Sequence, residues 1–423
     1  MFKKTVLANG LRIITAPMQG TNTVTILVLC ETGSDNDPEN ELGISHFLEH
    51  MFFKGTKRRP TPQILAKELD SMGGYSNAFT SHEMTGYHIK VGKIYYPKAL
   101  DILADVYVNS LLNAEEINRE RQVILEERKL RYEDPGIYIG FLWEELVFGS
   151  RHGGFSSMGT EEIIRNLPTE SFREYFNTQY TAPDTIVIVA GSFEENQAIS
   201  DMTRLFGNVR ATTPRPPVEY SESQTVPGLK INHREKGDQT HIALGFRGFA
   251  ADDPDRYTGN LLSTVLGSSF SSRMFDTIRE KMGLAYHVYT DHTNYKNRGY
   301  LFTYAGVGHQ NVEKAISAMM TEYRKIVEEP IGDEELERAK NSSKGRSLIQ
   351  LESSDAVASF VGMEEALTRE PLTVDEVFAK IDAITPAQIQ AFAKRIMCPD
   401  RLNLALIGPR EDKGPFEGIL AEF

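Results

Sequence analysis

Two short stretches of this chain recur about half a chain apart, and that internal repeat narrows the possible folds more than any other feature. Glu115-Glu116-Ile117-Asn118-Arg119 returns as Glu334-Glu335-Leu336-Glu337-Arg338, an offset of 219 residues. Pro183-Asp184, ahead of an alternating strand and a glycine, returns as Pro399-Asp400 ahead of Leu402–Ile407 and Gly408, an offset of 216. The common order and near-common offset point to two copies of one domain. Between them runs Asn208-Val209-Arg210-Ala211-Thr212-Thr213-Pro214-Arg215-Pro216-Pro217, polar and proline-rich, which suits an extended linker. The expected organisation is a domain at 1–210, a linker at 211–226 and a second, homologous domain at 227–423.

Local patterns fill in the domain. Alternating apolar residues at Leu11–Ala16 and Thr23–Leu29 follow the turn signal Asn9-Gly10 and predict strands. A helix is expected at about 42–54, and another at 62–73, opened by Pro62 and stopped by Gly73-Gly74. Tyr75–Val91 reads as a hairpin broken near Ser81-His82, helical periodicity fills about 95–148, and a strand runs from Thr185 to Ala190. Strands mixed with long helices put both copies in the α+β class, as two homologous α/β-sandwich domains in tandem.

A formal net charge of −13 argues against a phosphate-binding surface, because nucleic-acid binders need clustered Lys and Arg. Lys54, Lys57, Arg58 and Arg59 form one short basic knot, expected as a solvated loop. Cys30 and Cys398 lie far apart with no metal or redox spacing, which predicts free thiols in a reducing compartment. Met1 to Gly10 shows neither an apolar signal core nor an Arg-rich amphipathic pattern, and no run approaches the ~20 apolar residues of a membrane span. The chain is therefore expected to be cytoplasmic, with no nucleic acid or membrane among its partners.

The chemistry concentrates at His46-Phe47-Leu48-Glu49-His50. On a helix, positions i and i+4 share a face, so both imidazoles can bind one ion. Glu49 falls on the edge of that face, where a carboxylate can take a proton from water whose pKa zinc lowers to about 7. Catalytic zinc usually takes three protein ligands. The third can be sought on the helix around 114–131, where Ile117, Val123, Ile124 and Leu130 define an apolar stripe. Glu120 and Glu127, seven residues apart, project from that stripe, while Glu126 points to solvent. Carboxylates on a buried face need a partner, because an uncompensated buried charge costs several kcal/mol or becomes protonated. Glu116 also faces inward, but in a first turn the helix dipole already accounts for an acid. A zinc ion would suit Glu127 best, with Glu120 supporting it.

These residues resemble the inverted-motif zinc peptidases that include pitrilysin, insulysin and the β subunit of mitochondrial processing peptidase. The likeness spans the chain, and its core is His46-Phe47-Leu48-Glu49-His50-Met51-Phe52-Phe53-Lys54-Gly55-Thr56 with Glu120-Arg121-Gln122-Val123-Ile124-Leu125-Glu126-Glu127. Glu127 stands seventy-seven residues after His50, similar to the family's third zinc ligand. The resemblance implies Zn2+ on His46, His50 and Glu127, a general base at Glu49 and an accessory acid at Glu120. It also implies that the strand Gly73-Gly74-Tyr75-Ser76-Asn77-Ala78-Phe79-Thr80 grips a peptide backbone, with Asn77, Ala78 and Phe79 against the substrate.

Ser271-Ser272-Arg273-Met274-Phe275 and Arg279-Glu280-Lys281-Met282-Gly283-Leu284-Ala285-Tyr286 resemble the family's Arg/Tyr element. By that likeness Arg279 binds a substrate carbonyl and Tyr286 donates to the oxyanion. One chain would supply half of a clamshell chamber, which implies a homodimer, or a heterodimer with a paralogue. The expected function is hydrolysis of peptide bonds in oligopeptides or in unfolded or precursor segments. Its rivals are a scaffold subunit of the same fold without activity, such as the core subunits of respiratory cytochrome bc complexes, and a zinc hydrolase of another bond.

Overall fold

Strand β3 (Thr23–Cys30) shows why this chain builds layered sheets: it is apolar on both faces, so both must be covered. The computed structural model describes residues 2–423, and Met1, the first residue of the N-terminal stretch read above, lies outside the described residues. Around β3 lie β1 (Lys3–Val6), β2 (Arg12–Pro17), β4 (Tyr75–Thr80), β5 (Thr85–Gly92) and β6 (Thr185–Gly191), in the order β1-β2-β6-β3-β5-β4. Only β2 and β6 pair in parallel. Strand β4 is an outer edge of this sheet, with one side of its backbone unpaired in the ladder.

The second sheet holds β7 (Gly228–His233), β8 (Thr240–Arg247), β9 (Ala285–Asn294), β10 (Gly299–Val307) and β11 (Leu402–Gly408), ordered β7-β11-β8-β10-β9. Its parallel pair is β7 with β11 and the rest are antiparallel. Strand for strand this is the first sheet without β1, so the repeat seen in Pro183-Asp184 and Pro399-Asp400 marks equivalent strands, β6 and β11. Glu115 and Glu334 likewise open equivalent helices, α4 below and Asp333–Gln350.

Helices cover one face of the first sheet: α1 (Ile44–Phe52), α2 (Pro62–Asp70), α3 (Tyr96–Asn109) and α4 (Ala114–Glu133). The helical stretch expected over 95–148 is three helices, with breaks at residues 110–113 and at Asp134, which caps α5 (Pro135–His152) through its carboxylate. The opposite face of that sheet receives Ala358, Val361 and Ala366 from the late helix Ser354–Thr368. In return α5 serves the second sheet, where Trp143 stacks on Phe302 at 5.3 Å and meets Tyr300 edge-on at 6.0 Å.

The chain thus forms two packing units. One comprises 1–129, 155–219 and 349–373, and the other 130–154, 220–348 and 374–423. The units are not the contiguous stretches 1–210 and 227–423 expected above: packing trades one helix each way, because each sheet's second face is covered by a helix from the other half of the chain. The stretch from Ala211 to Val226 carries no strand or helix, in keeping with its prolines. Among the described residues no helix is long and apolar enough to cross a membrane.

Candidate metal centre and its surroundings

Helix α1 is placed by its first residues. Gly43 adopts φ 90°, and a Cβ there would lie 2.5 Å from the Met158 carbonyl, so neither the conformation nor the space admits a side chain. The buried Asp37 carboxylate accepts from the Gly43 amide at 2.8 Å and from the Ser45 hydroxyl at 3.2 Å, locking the entry to the helix. One turn on, the His46 and His50 rings stand with centroids 4.8 Å apart.

Helix α4 supplies the acids. Ile117 and Ile124 are buried with Glu120 between them, and Glu126 is exposed, as expected. Val123 and Leu130 correct the predicted stripe: they are 50% and 65% exposed. The buried face is narrower than the sequence pattern suggested, since only residues stepping about seven apart along it stay beneath the neighbouring elements. Glu116 is half-buried and paired with Arg119 rather than with the site.

Glu127 Oε2 lies 3.7 Å from His46 Nε2 and 3.4 Å from His50 Nε2. One donor atom from each residue falls within 4.8 Å of the others. Ligand bonds of 2.0–2.2 Å in a tetrahedron put donors about 3.3–3.6 Å apart, so this set of two imidazoles and one carboxylate fits zinc in donor chemistry and nearly in spacing. Glu120 completes the support: its Oε1 lies 3.0 Å from His50 Nδ1 and its Oε2 2.6 Å from Lys54 Nζ. A carboxylate on the far ring nitrogen fixes imidazole orientation, the usual arrangement behind a metal-bound histidine.

Without a cation, the protein must settle these charges by itself. Burial pulls His50 toward the neutral form, but hydrogen bonds to Glu120 and Glu127 outweigh it and push its pKa up to about 9. Burial works against the Glu120 charge, while His50 and Lys54 hold its carboxyl below the usual range. Lys54 was read as part of a solvated knot; it is instead the counter-charge of Glu120, one turn beyond His50. Arg59 also departs from that expectation. It is buried against Asp105 at 2.7 Å, Asp101 at 2.8 Å and Glu68 at 3.2 Å, and Arg58 also pairs with Asp101. Asp101 and Asp105, which hold this loop with Glu68, lie more than forty residues along the chain, out of sight of a local charge count.

Glu49 sits beside His50 on a groove of about 380 Å³ whose walls include Phe53, Leu65, Leu69, Asn77 and Ala78. Asn77 is exposed on the edge strand β4, and Ala78 and Phe79 are half-buried. Thr80, which no spacing rule singles out, donates from Oγ1 to Glu49 Oε2 at 2.6 Å.

Arg279 and Tyr286 belong to the other unit. Arg279 lies in a π-helical segment, Phe275–Lys281, a rare geometry frequent at functional sites. Its Nη1 donates to the Tyr286 carbonyl at 3.0 Å, and its guanidinium lies 4.7 Å from the ring centres of both Phe275 and Tyr286. The Tyr286 side chain stands on the edge strand β9 and is 66% exposed. Both residues line a groove of about 410 Å³ with Phe270, Val288 and Tyr289.

The remaining histidines behave as structural groups where contacts are defined: His82 with Ser34 at 2.9 Å, His241 with Tyr304 at 2.9 Å, His292 with Asn260 at 2.7 Å and His309 with Thr240 at 2.9 Å. Cys30 and Cys398 are free thiols.

Residues 12–135, which contain the whole candidate metal centre, match the family model described as insulinase, peptidase family M16, and residues 166–343 match one described as the peptidase M16 inactive domain. The chain is 33% identical over 409 residues to a Bacillus subtilis (strain 168) protein named an uncharacterized zinc protease, YmxG, covering 97% of this chain and 98% of that protein. It is 28% identical over 426 residues to a Dictyostelium discoideum protein named mitochondrial-processing peptidase subunit beta, covering 96% and 88%. The crystal structure of a protease from Helicobacter pylori shares the fold, with a TM-score of 0.89 at 23% identity over 97% of this chain and 99% of that one.

Proposed function

Because the chain belongs to the insulinase (M16) peptidase family, we propose that it is a zinc metalloendopeptidase acting on extended peptide segments. One observation carries this reading: His46, His50 and Glu127, from two helices distant in sequence, converge within 4.8 Å, with Glu49 adjoining. In the proposed site His46, His50 and Glu127 would hold zinc, which when bound would supply Lewis acidity toward water and the scissile carbonyl. Glu49 takes the proton from the attacking water and passes it to the leaving amine. Glu120, backed by Lys54, keeps His50 oriented. The open edge of β4 binds the substrate backbone as an added strand, with Asn77, Ala78 and Phe79 against it, a mode indifferent to most side chains.

Arg279 holds a substrate carbonyl and Tyr286 donates to the developing oxyanion. They act in a homodimer in which each metal site is completed by the other copy's Arg279 and Tyr286, or in a heterodimer with a paralogue. The free thiols of Cys30 and Cys398 suit a reducing, cytoplasmic setting. The scaffold reading is weaker, since the model described as inactive falls on residues 166–343 and leaves the metal centre outside it. The test is digestion of a mixed peptide library with and without a chelator, alongside the metal content of the purified protein. Cleavage that stops with the chelator and returns with zinc supports the assignment. A zinc-free protein that cleaves nothing favours the scaffold.

A further inference from the structure

Thr80 lies where the proposed substrate strand meets the proposed base. It is the last residue of β4, three positions beyond Asn77, and its hydroxyl is the donor to Glu49 Oε2 at 2.6 Å. The turn that follows is held from several sides. Ser81 closes it on Met84 through backbone and side chain at 2.8 and 3.0 Å, and the Ser34 and Asp35 amides donate to the Ser81 and His82 carbonyls at 3.2 and 2.9 Å. That approach depends on Gly33, where a Cβ would lie 2.3 Å from the Ser81 carbonyl oxygen. The Thr80 hydroxyl is therefore presented from a fixed backbone, whereas Glu49 is half-buried with three side-chain torsions of its own.

We propose that Thr80 is the positioning residue for the base: its hydroxyl fixes the Glu49 carboxylate plane and couples it to the strand on which the peptide is added. The inference rests on Glu49 being the base. A hydroxyl donating to a carboxylate from a rigid strand restricts rotation about the last Glu49 torsions. A peptide added to β4 would stiffen the same strand at the moment the base is needed. Thr80 acts through Glu49 and is not among the proposed metal ligands, so removing its hydroxyl should lower turnover and leave metal and substrate binding intact.

The test uses the full-length zinc-loaded protein and one quenched fluorogenic peptide taken from the library screen. Thr80→Val, nearly the same shape without the hydroxyl, and Thr80→Ala, should each lower kcat about ten- to a hundredfold, the usual worth of a hydrogen bond to a charged group, with KM and zinc content unchanged. Thr80→Ser should recover most of the turnover. Wild-type kcat in Thr80→Val, or a serine variant as impaired as the valine one, would overturn the proposal. If valine disturbs β4, seen as a lowered melting temperature, the alanine and serine pair decides by the same criterion. Glu49→Gln, measured alongside, separates the two levels: full activity there defeats the base itself, whereas an inactive Glu49→Gln beside a fully active Thr80→Val removes Thr80 alone.

Discussion

Glu49 and His50 are neighbours in sequence with different physical tasks, and their substitutions should separate. Glu49→Gln keeps the size and nearly the shape of the side chain but cannot accept a proton, so it should lower kcat by about 10²-fold or more while zinc content stays at one per chain. Glu127→Gln should instead lose zinc, measured by elemental analysis after dialysis, because the site surrenders its only charged ligand. A normally active Glu49→Gln protein would defeat the proposed mechanism. His50 predicts a pH dependence. In the metal-free protein its pKa stands at about 9, above the ordinary 6.5, so the protonated ring stabilises the fold fully below pH 6.5 and that contribution is lost as pH rises through 9. At neutral pH zinc must therefore displace a proton from His50. Zinc affinity should rise with pH up to about 9, and calorimetry in buffers of different ionisation heat should show protons released on binding. Equal heats in all buffers would contradict this. His46, Glu49 and His50 were readable from a five-residue pattern because a helical turn is local geometry. Thr80 and Lys54 were not read as part of the site, because their roles exist only through partners distant in the chain or through a charge count that ignores direction.

The two traded helices make their own prediction. Helix Ser354–Thr368 is tied to the first sheet by buried charge: Glu365 pairs with Arg12 at 3.1 Å and with Lys4 at 2.7 Å, while Arg12 also binds Glu31. The Glu365 side chain is fully buried and that of Arg12 nearly so, so removing Glu365 leaves the buried Arg12 with Glu31 alone and takes the partner from Lys4. Glu365→Ala should destabilise the protein by about 3 kcal/mol, seen as a lower midpoint of urea unfolding. An unchanged midpoint would mean the pair contributes nothing that its desolvation does not cancel. Periodicity showed helix over the α5 stretch but not its destination. An apolar stripe says that a helix packs, and nothing in it names the sheet on which it packs.

At the scale of the whole molecule the first unit carries the proposed metal centre and the second the proposed Arg/Tyr element, and the proposed dimer uses both twice. Light scattering should report a dimer. Glu49→Gln and Tyr286→Phe, each impaired alone, should recover about a quarter of wild-type activity after subunit exchange, since half the dimers are mixed and each mixed dimer keeps one intact site. A fully active monomer, or no recovery on mixing, would count against the shared arrangement. The amino-acid sequence by itself determined the duplicated α+β domain, most strand positions, and the pairing of His46 and His50, because offsets and periods of two and 3.6 residues are properties of neighbours along the chain. Only the tertiary structure decided that α5 and Ser354–Thr368 change places, that Arg59 and Lys54 are bound rather than solvated, and that Thr80 reaches Glu49. Glu49 and Thr80 stand 31 positions apart and Arg12 and Glu365 353, and packing and charge compensation act through space regardless of where along the chain the partners lie.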